Sequence, residues 1–299
     1  MRLVSYGPHG GERAGILDGT RIIDLERAGA PSADMRVILE QPDWRALLER
    51  AYASPKLLIP IDTTRFGAPV PVPRSLIIAG ANTKSHLKEA APVLKDVTPP
   101  RQPMILAKAT SCLCGPFDDV IHPPETKKLD YEVELGVYIG KRARRIKESQ
   151  VKDYIAGYTT LNEMSARDIQ LAEHESNPFY RVHFIGKSFD TFCPAGPALV
   201  TLDEFQWGKP LKMRTEVNGQ VRQDSDTSDL YFGIEALVSY ISQAMTLFPG
   251  DLIATGSPAG VAFFMKPPAF LKPGDRVRCE IEAVGAIENR VRAEGSEHS

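Results

Sequence analysis

Two glutamates placed two positions apart inside a strongly apolar segment are the feature that most limits how this chain can fold. The segment spans residues 130–137, and its valine, leucine and tyrosine residues predict a strand. Because side chains alternate between the faces of a strand, Glu132 and Glu134 are expected on one face. Two like charges side by side on a buried strand are costly unless a cation lies between them. A third acid, Glu163, follows Glu134 by 29 positions, while the alternative is a half-exposed strand with solvated glutamates.

Length, composition and charge exclude several classes of protein. The chain has 299 residues, enough for one large domain or for one large and one small domain. Its net charge of −2 provides no global basic field for nucleic acid or an anionic membrane. No apolar run approaches the roughly 20 residues of a membrane span, and the N-terminus lacks the apolar core of a signal peptide. The four cysteines match neither a zinc site nor a disulfide framework, so reduced thiols and a cytoplasmic location are expected.

The order of short strands, helices and prolines predicts an α+β protein that is mainly β. Residues 1–72 are expected to form a small N-terminal α/β domain with a proline-rich linker, residues 73–293 a larger domain, and residues 294–299 a disordered tail. One amphipathic helix is predicted over residues 234–248. A second short helix is expected to begin at Ser165, whose hydroxyl could cap it.

His86 and Glu89 form a candidate acid–base pair shortly after a predicted strand. Their spacing of three places both side chains on one face if the segment is helical. A carboxylate beside an imidazole fixes its tautomer and raises its basicity, so the pair could take a proton from water. The alternative is a surface histidine and glutamate on a loop.

Lys187, Arg167 and Gln170 are candidates for binding an anion. The Gly-Lys-Ser sequence around Lys187 is not a phosphate loop, because Arg181 stands where the first glycine would be required. A lysine near the three acids could instead stabilise an oxyanion or an enolate, with a plain surface lysine as the alternative. Arg167 or Gln170 could hold a substrate carboxylate, the arginine through two parallel hydrogen bonds.

The segment from Thr255 to Gly260 follows a predicted strand and is rich in small residues. Such a turn lets backbone N–H groups approach an anion, although a plain tight turn is the alternative. Its Gly-Ser-Pro-Ala-Gly order differs from a nucleophile elbow, so no serine nucleophile is expected.

Taken together and in this order, these segments resemble the fumarylacetoacetate hydrolase superfamily. Within it, they look like the branch of acylpyruvases and 2,4-diketo-3-deoxy sugar acid hydrolases. The resemblance covers roughly residues 75–292 and is carried by six segments: residues 82–89, 129–135, 165–170, 186–190, 222–225 and 250–256. It implies a mixed β-sandwich roll, a homodimer, and a small leading domain of the kind that many members carry.

The resemblance also implies a role for each candidate residue. The implied ligands of Mg²⁺ or Mn²⁺ are Glu132, Glu134 and Glu163. The implied catalytic residues are His86, Glu89 and Lys187. The implied substrate-binding residues are Asn82, Arg167, Gln170 and Thr255.

This chain departs from the family pattern at several positions. The third metal ligand is usually an aspartate, so the extra methylene of Glu163 shifts its carboxylate by about one bond length. Thr83 and Ser257 stand where tyrosine and threonine are usual. The stretch over residues 173–184 is longer than in compact members and is expected to shape the pocket through His174, Phe179, Tyr180 and His183.

The reaction that this resemblance implies is metal-dependent hydrolysis of a C–C bond in an acylpyruvate or other 2,4-diketo acid, with release of pyruvate. The same site supports decarboxylation of an oxaloacetate-type acid, isomerisation or decarboxylation of an unsaturated 2-oxo dioate, and ureidoglycolate lyase chemistry. An inactive metal-binding scaffold is the non-enzyme alternative. The expected partners are a small 2-oxo acid and a second copy of the chain, rather than a nucleic acid or a membrane.

Overall fold

Strands dominate the computed structural model, which describes residues 1–94 (backbone alone at 93 and 94), 99–173, 176–177 and 181–296. The strands are β1 (Arg2–Tyr6), β2 (Arg13–Asp18), β3 (Arg21–Asp24), β4 (Leu58–Pro60), β5 (Phe66–Gly67), β6 (Leu76–Gly80), β7 (Met104–Lys108), β8 (Leu113–Cys114), β9 (Val120–His122), β10 (Leu129–Asp130), β11 (Val133–Ile139), β12 (Ile155–Asn162), β13 (Ser165–Ala166), β14 (Cys193–Thr201), β15 (Lys212–Val217), β16 (Gln220–Asp226), β17 (Leu252–Ala254), β18 (Arg276–Ile281) and β19 (Gly285–Ala293). The α-helices are α1 (Met35–Leu39), α2 (Trp44–Ala53), α3 (Lys84–Leu94), α4 (Arg167–Gln170), α5 (His183–Lys187) and α6 (Ile234–Ala244).

The main sheet runs through most of the molecule in the order β4-β3-β2-β1-β14-β12-β11-β17-β6-β7. The N-terminal strands join it because β1 pairs antiparallel with β14, with Leu3 opposite Leu199. Hydrogen bonding is therefore continuous between the N-terminal strands and the larger region. The domain boundary at residue 72 stays a prediction.

A second sheet, in the order β16-β15-β18-β19-β9, packs against the main sheet. Its strands β15, β18 and β19 contact β11, β12 and β14. Every residue of β11 and β12 is buried, as expected for strands that are covered on both faces. The α+β, mainly β class predicted from the sequence is confirmed.

Three local predictions differ from the structure. The strand β11 begins only at Val133, because the N–H groups of Glu132 and Val133 donate to the side chains of Asn162 and Gln223 at 3.0 Å. Ser165 lies in β13 and does not cap a helix, since α4 begins at Arg167 without a side-chain cap. The amphipathic helix α6 ends at Ala244, earlier than predicted.

The structure describes the four cysteines and part of the predicted C-terminal tail, and the disorder of that tail stays a prediction. All four cysteines are buried and free. The N–H of Glu294 donates to the His122 carbonyl at 3.2 Å, whereas residues 297–299 of the predicted tail lie outside the described residues. In the part of the chain that the structure describes, no helix has the length and apolar character needed to cross a membrane.

Gly157 in β12 offers a test of the packing between β12 and β14. A Cβ atom at this position would lie 2.0 Å from the carbonyl oxygen of Val200, so Gly157→Ala must push the two strands apart. We expect this variant to lower the free energy of unfolding by about 1–3 kcal/mol. The control is Gly11→Ala, where the nearest atom is Cγ of Pro8 at 3.4 Å. Urea unfolding followed by circular dichroism measures both variants, and equal free energies would contradict the close approach.

Candidate active site

A cavity of about 270 Å³ gathers most of the candidate residues where β6, β7 and β11 meet α3, α4 and α5. Seven of the ten residues singled out in the sequence line it: His86, Glu132, Glu134, Glu163, Arg167, Gln170 and Lys187. Glu89 lies directly behind His86. Asn82 and Thr255 are not part of the lining.

The register of two neighbouring strands brings the glutamates together. Antiparallel pairing places Val133 of β11 opposite Asn162, the last residue of β12. Glu132 and Glu163, one residue beyond that pair, therefore face each other, and the N–H of Glu163 donates to the Glu132 carbonyl at 2.8 Å. Glu134 follows on the same strand and lines the same cavity.

Lysine and arginine side chains neutralise two of these three carboxylates. Lys187 Nζ lies 3.2 Å from Glu132 Oε2 and also forms a close ion pair with Glu163. Arg167 Nη2 lies 2.9 Å from Glu132 Oε1. Burial alone would raise the pKa of Glu132, but the charges of Arg167 and Lys187 outweigh it and hold that pKa well below its usual range. Glu132 is therefore a charged acid at neutral pH.

Glu134 lacks such a partner. Among the residues that the structure describes, its carboxylate accepts one hydrogen bond, from the Gly256 N–H at 2.6 Å, and forms no ion pair. Burial, together with the charges of Glu163 and Glu132, raises the pKa of Glu134 well above its ordinary value. This position requires glycine, because its φ of +119° is one that other residues rarely adopt and because an added Cβ would lie only 2.9 Å from Cβ of Asn82. Without a side chain, the backbone N–H can approach the carboxylate this closely. Glu134 is thus a buried acid that is short of a positive neighbour.

The three glutamates do not form a ready-made metal cluster, although their chemistry fits one. Over the described ranges, no group of three or more His, Cys, Asp or Glu side chains is arranged to hold a metal ion. The ammonium group of Lys187 lies between two of the predicted ligands instead. An all-carboxylate set in which Glu134 has no counter-charge nevertheless suits a hard divalent cation. The assignment of Glu132, Glu134 and Glu163 as ligands stays a prediction.

His86 and Glu89 form the hydrogen-bonded pair that their spacing suggests. Both lie on α3, and His86 Nδ1 is 2.7 Å from Glu89 Oε1. The other Glu89 oxygen accepts a hydrogen bond from the Gly260 N–H at 2.9 Å. Gly260 has no room for a side chain, because an added Cβ would lie 2.0 Å from the Arg222 carbonyl oxygen. His86 Nε2 is 4.0 Å from Glu132 Oε1, so the imidazole faces the acids. This arrangement gives one ring nitrogen a fixed partner and leaves the other directed into the pocket.

Arg167 is held in place by Asp130, a contact that the sequence did not reveal. Arg167 Nε donates to Asp130 Oδ2 at 2.8 Å, and Nη1 donates to Gln170 Oε1 at 3.1 Å. Asp130 also accepts the backbone N–H of Ala262 at 2.7 Å. Burial raises the pKa of Asp130, and the Arg167 charge opposes that rise. Asp130 therefore fixes the guanidinium rather than facing the pocket itself.

Lys108 is the second residue that the sequence did not single out for the site. Its side chain is fully buried, and Nζ lies 2.6 Å from Glu163 Oε1. The same ammonium donates to the carbonyl groups of Met164 at 3.0 Å and Phe192 at 2.6 Å. Both oxygens of Glu163 are consequently bound by lysines. The only sequence signal was a lysine that ends an apolar strand.

Asn82 and Thr255 form hydrogen bonds to backbone carbonyls of neighbouring segments. Asn82 Nδ2 donates to the carbonyls of Thr255 at 2.8 Å and Phe232 at 3.0 Å. Thr255 Oγ1 donates to the Leu135 carbonyl at 2.9 Å. Their predicted contact with substrate stays a prediction.

Some residues of the longer stretch over residues 173–184 line the cavity. His183 lines it, as do Arg181 and Leu171 nearby. His174, Phe179 and Tyr180, which were also expected to shape the pocket, lie outside the described residues.

Comparisons with known proteins show the family to which this chain belongs. The family model described as fumarylacetoacetate (FAA) hydrolase C-terminal matches residues 75–292. The oxaloacetate tautomerase Fahd2a, mitochondrial, of Rattus norvegicus is 39% identical over 297 residues, which cover 97% of this chain and 91% of that protein. A solved fumarylacetoacetate hydrolase from the psychrophilic Exiguobacterium antarcticum is 30% identical with a TM-score of 0.81, covering 98% of this chain and 100% of that chain.

A maleylpyruvate hydrolase from Sphingobium sp. SYK-6, solved in complex with manganese(II) ion and pyruvate, is similar as well. It is 31% identical with a TM-score of 0.76, covering 98% of this chain and 99% of that chain. These relatives are enzymes by name, which confirms the expectation that this chain is an enzyme.

The contrast between Glu132 and Glu134 generates a prediction of opposite sign for two similar substitutions. In EDTA at pH 8, Glu134→Gln is expected to increase the free energy of unfolding by about 1 kcal/mol or more, because each unit of raised pKa corresponds to ~1.4 kcal/mol. Glu132→Gln is expected to decrease it, because Arg167 and Lys187 lose a charged partner. Urea unfolding of both variants measures the difference.

The pH dependence follows from the direction of the Glu134 shift. An acid whose pKa is raised in the folded state costs nothing below its unfolded pKa, and its cost grows as the pH rises through the folded pKa. The gain from Glu134→Gln should therefore be small at pH 5 and larger at pH 8. A gain that is independent of pH would show that it does not come from the charge of Glu134, and a loss at pH 8 would show that Glu134 has a positive partner.

Proposed function

Because the chain belongs to the fumarylacetoacetate hydrolase family, as its sequence motifs predicted, we propose that it interconverts the keto and enol forms of a dicarboxylic 2-oxo acid of the oxaloacetate type. The observation that carries this proposal is the His86–Glu89 pair, whose free nitrogen Nε2 lies 4.0 Å from Glu132 in a pocket that also contains Lys187 and Arg167. A positioned base beside fixed cations is what proton removal next to a carbonyl requires. The printed name of the rat relative, an oxaloacetate tautomerase, supports the choice of reaction.

Substrate binding is assigned to the fixed cations of the pocket. Arg167, held by Asp130 and Gln170, offers charged N–H donors for the carboxylate next to the 2-oxo group. A divalent cation, Mg²⁺ or Mn²⁺, held by Glu132, Glu134 and Glu163 would polarise that 2-oxo group. The manganese ion in the solved maleylpyruvate hydrolase supports this assignment.

The proton transfer is assigned to His86 and Lys187. His86 Nε2 takes a proton from carbon 3, and the electron pair of that C–H bond becomes the double bond between carbons 2 and 3. Lys187 Nζ gives a proton to the former carbonyl oxygen, and solvent returns the proton from His86 to Lys187, so no atom is gained or lost. Glu89 stabilises the transient imidazolium through its bond of 2.7 Å to Nδ1. The reverse direction uses the same groups.

Hydrolysis of a C–C bond in an acylpyruvate, the first expectation from the sequence, is the second candidate. The same His86–Glu89 pair could activate a water molecule, and a solved relative is named as a maleylpyruvate hydrolase. Decarboxylation and dioate isomerisation also pass through enolates of 2-oxo acids, although each reaction forms a different one. The choice of substrate, rather than the geometry of the base, separates these reactions.

Assembly and location remain proposals. Met104, Phe184 and Ile185 on the neighbouring elements β7 and α5 are 40%, 49% and 51% exposed, and a second copy of the chain would cover such apolar side chains. This supports the homodimer expected from the sequence.

A cytoplasmic location is kept as a proposal, since the mitochondrial location belongs to the printed name of the relative.

The central test is a substrate panel with metal added and removed. With Mg²⁺ or Mn²⁺, the purified protein is expected to speed the conversion of enol to keto oxaloacetate, measured by ultraviolet absorbance of the enol. EDTA should abolish the acceleration, and added Mn²⁺ should restore it. Release of pyruvate from acetylpyruvate without tautomerase activity would favour the second candidate. Silence on both substrates with both metals would contradict the proposed function.

The role of His86 is tested by substitution. His86→Ala is expected to lower kcat by ~10²–10⁴-fold because it removes the general base. Glu89→Gln should have a smaller effect, since the base remains but loses its charged partner. His122→Ala is the control, because His122 bonds the Pro123 carbonyl and does not line the cavity. Undiminished turnover by His86→Ala would remove the role assigned to it.

A further inference from the structure

We propose that Arg181 binds the substrate carboxylate that is remote from the 2-oxo group, and so makes the pocket selective for dicarboxylic over monocarboxylic acids. The class of reaction in this inference rests on the proposed function. The binding role of Arg181 rests on its own observations.

Arg181 differs from the other cations of the cavity in having no partner among the residues that the structure describes. Arg167 is bound to Asp130, Glu132 and Gln170, and Lys187 is bound to Glu132, Glu163 and Ser165. Arg181 lines the same cavity, yet it forms no hydrogen bond or ion pair with any residue that the structure describes. Its planar group of N–H donors is therefore available for a carboxylate.

Arg181 also stands on the outer side of the cavity. It is exposed, whereas Arg167 and Lys187 are buried. Two residues further on, His183 Nδ1 lies 3.3 Å from Nε2 of Gln170, which places this segment beside the predicted carboxylate-binding pair of Arg167 and Gln170. A substrate whose 2-oxo end lies among the buried groups would extend its other end toward Arg181.

Of the charged residues that line the cavity, Arg181 is the exposed one. His183 lies two residues further along the chain, and burial, followed by the positive charges of Lys187 and Arg181, lowers the pKa of His183. The remaining wall of the cavity is largely apolar and includes Met104, Leu106 and Leu171. A carboxylate in such surroundings gains most from the one charged group that it meets.

The charge balance of the lining favours a dianion. Three carboxylates, Glu132, Glu134 and Glu163, line the cavity together with three basic side chains, Arg167, Lys187 and Arg181. A divalent cation added to this balanced set would leave two positive charges. A 2-oxo dicarboxylate carries two negative charges, so it matches the loaded pocket better than a monocarboxylate does.

The test compares two unreactive 2-hydroxy acids that differ chiefly in the remote carboxylate, L-malate and L-lactate. In calorimetric titrations of the Mg²⁺-loaded protein, the wild type is expected to bind malate about tenfold or more tightly than lactate. Arg181→Gln should bring the two Kd values to within about threefold, and Arg181→Lys should keep part of the preference. Arg27→Gln is the matched control, because Arg27 is exposed and lies outside the cavity.

Kinetics provide a second readout that separates the two proposals. Arg181→Gln should raise KM for oxaloacetate about tenfold with little change in kcat, and leave KM for a monocarboxylic 2-oxo acid unchanged. A wild type without preference for malate, or a preference that survives Arg181→Gln, would overturn the inference. A preference that depends on Arg181 in a protein without turnover of any 2-oxo acid would support the inference while the proposed function fails.

Discussion

Three carboxylates buried in one cavity impose the constraint on which the rest of the site depends. An ion taken from water into a protein interior costs several kcal/mol unless nearby charges and hydrogen bonds compensate it. Arg167 and Lys187 compensate Glu132, and Lys187 with Lys108 compensates Glu163. Glu134 has only the Gly256 N–H among the described residues. Glu134 is therefore the one of the three acids that these arginine and lysine side chains leave without a counter-charge. A divalent cation would supply that charge.

The ion pairs that compensate the buried acids also determine which of the two lysines can reach a substrate. Lys187 contacts both Glu132 and Glu163, so the acids that would hold a cation are also the acids that now hold the ammonium. Lys108 has no such double role, because the carbonyls of Met164 and Phe192 fix it behind Glu163. One lysine thus has access to the cavity, and the other stabilises the position of a carboxylate.

The parts of this arrangement that were predictable from the sequence are those that depend on local spacing. The i, i+3 pair on α3 and the placement of Glu132 and Glu134 follow from the periods of a helix and of an extended chain. Lys108 was not predictable in this way, because 55 positions separate it from Glu163 and only the tertiary fold brings them together. Ser165 misled the prediction because its hydroxyl contacts Lys187 instead of capping a helix.

One loop contacts both a predicted metal ligand and the His86–Glu89 pair. The N–H of Gly256 bonds Glu134, and the N–H of Gly260 bonds Glu89, so the loop between them sets the position of a predicted metal ligand and of the residue that orients His86. Neither glycine has room for a side chain, since an added Cβ would lie 2.9 Å from Asn82 and 2.0 Å from the Arg222 carbonyl oxygen. Because backbone groups make both contacts, a shift of this loop would displace Glu134 and Glu89 together. This loop, which Asn82 ties to Thr255, is therefore part of the geometry on which the proposed reaction depends.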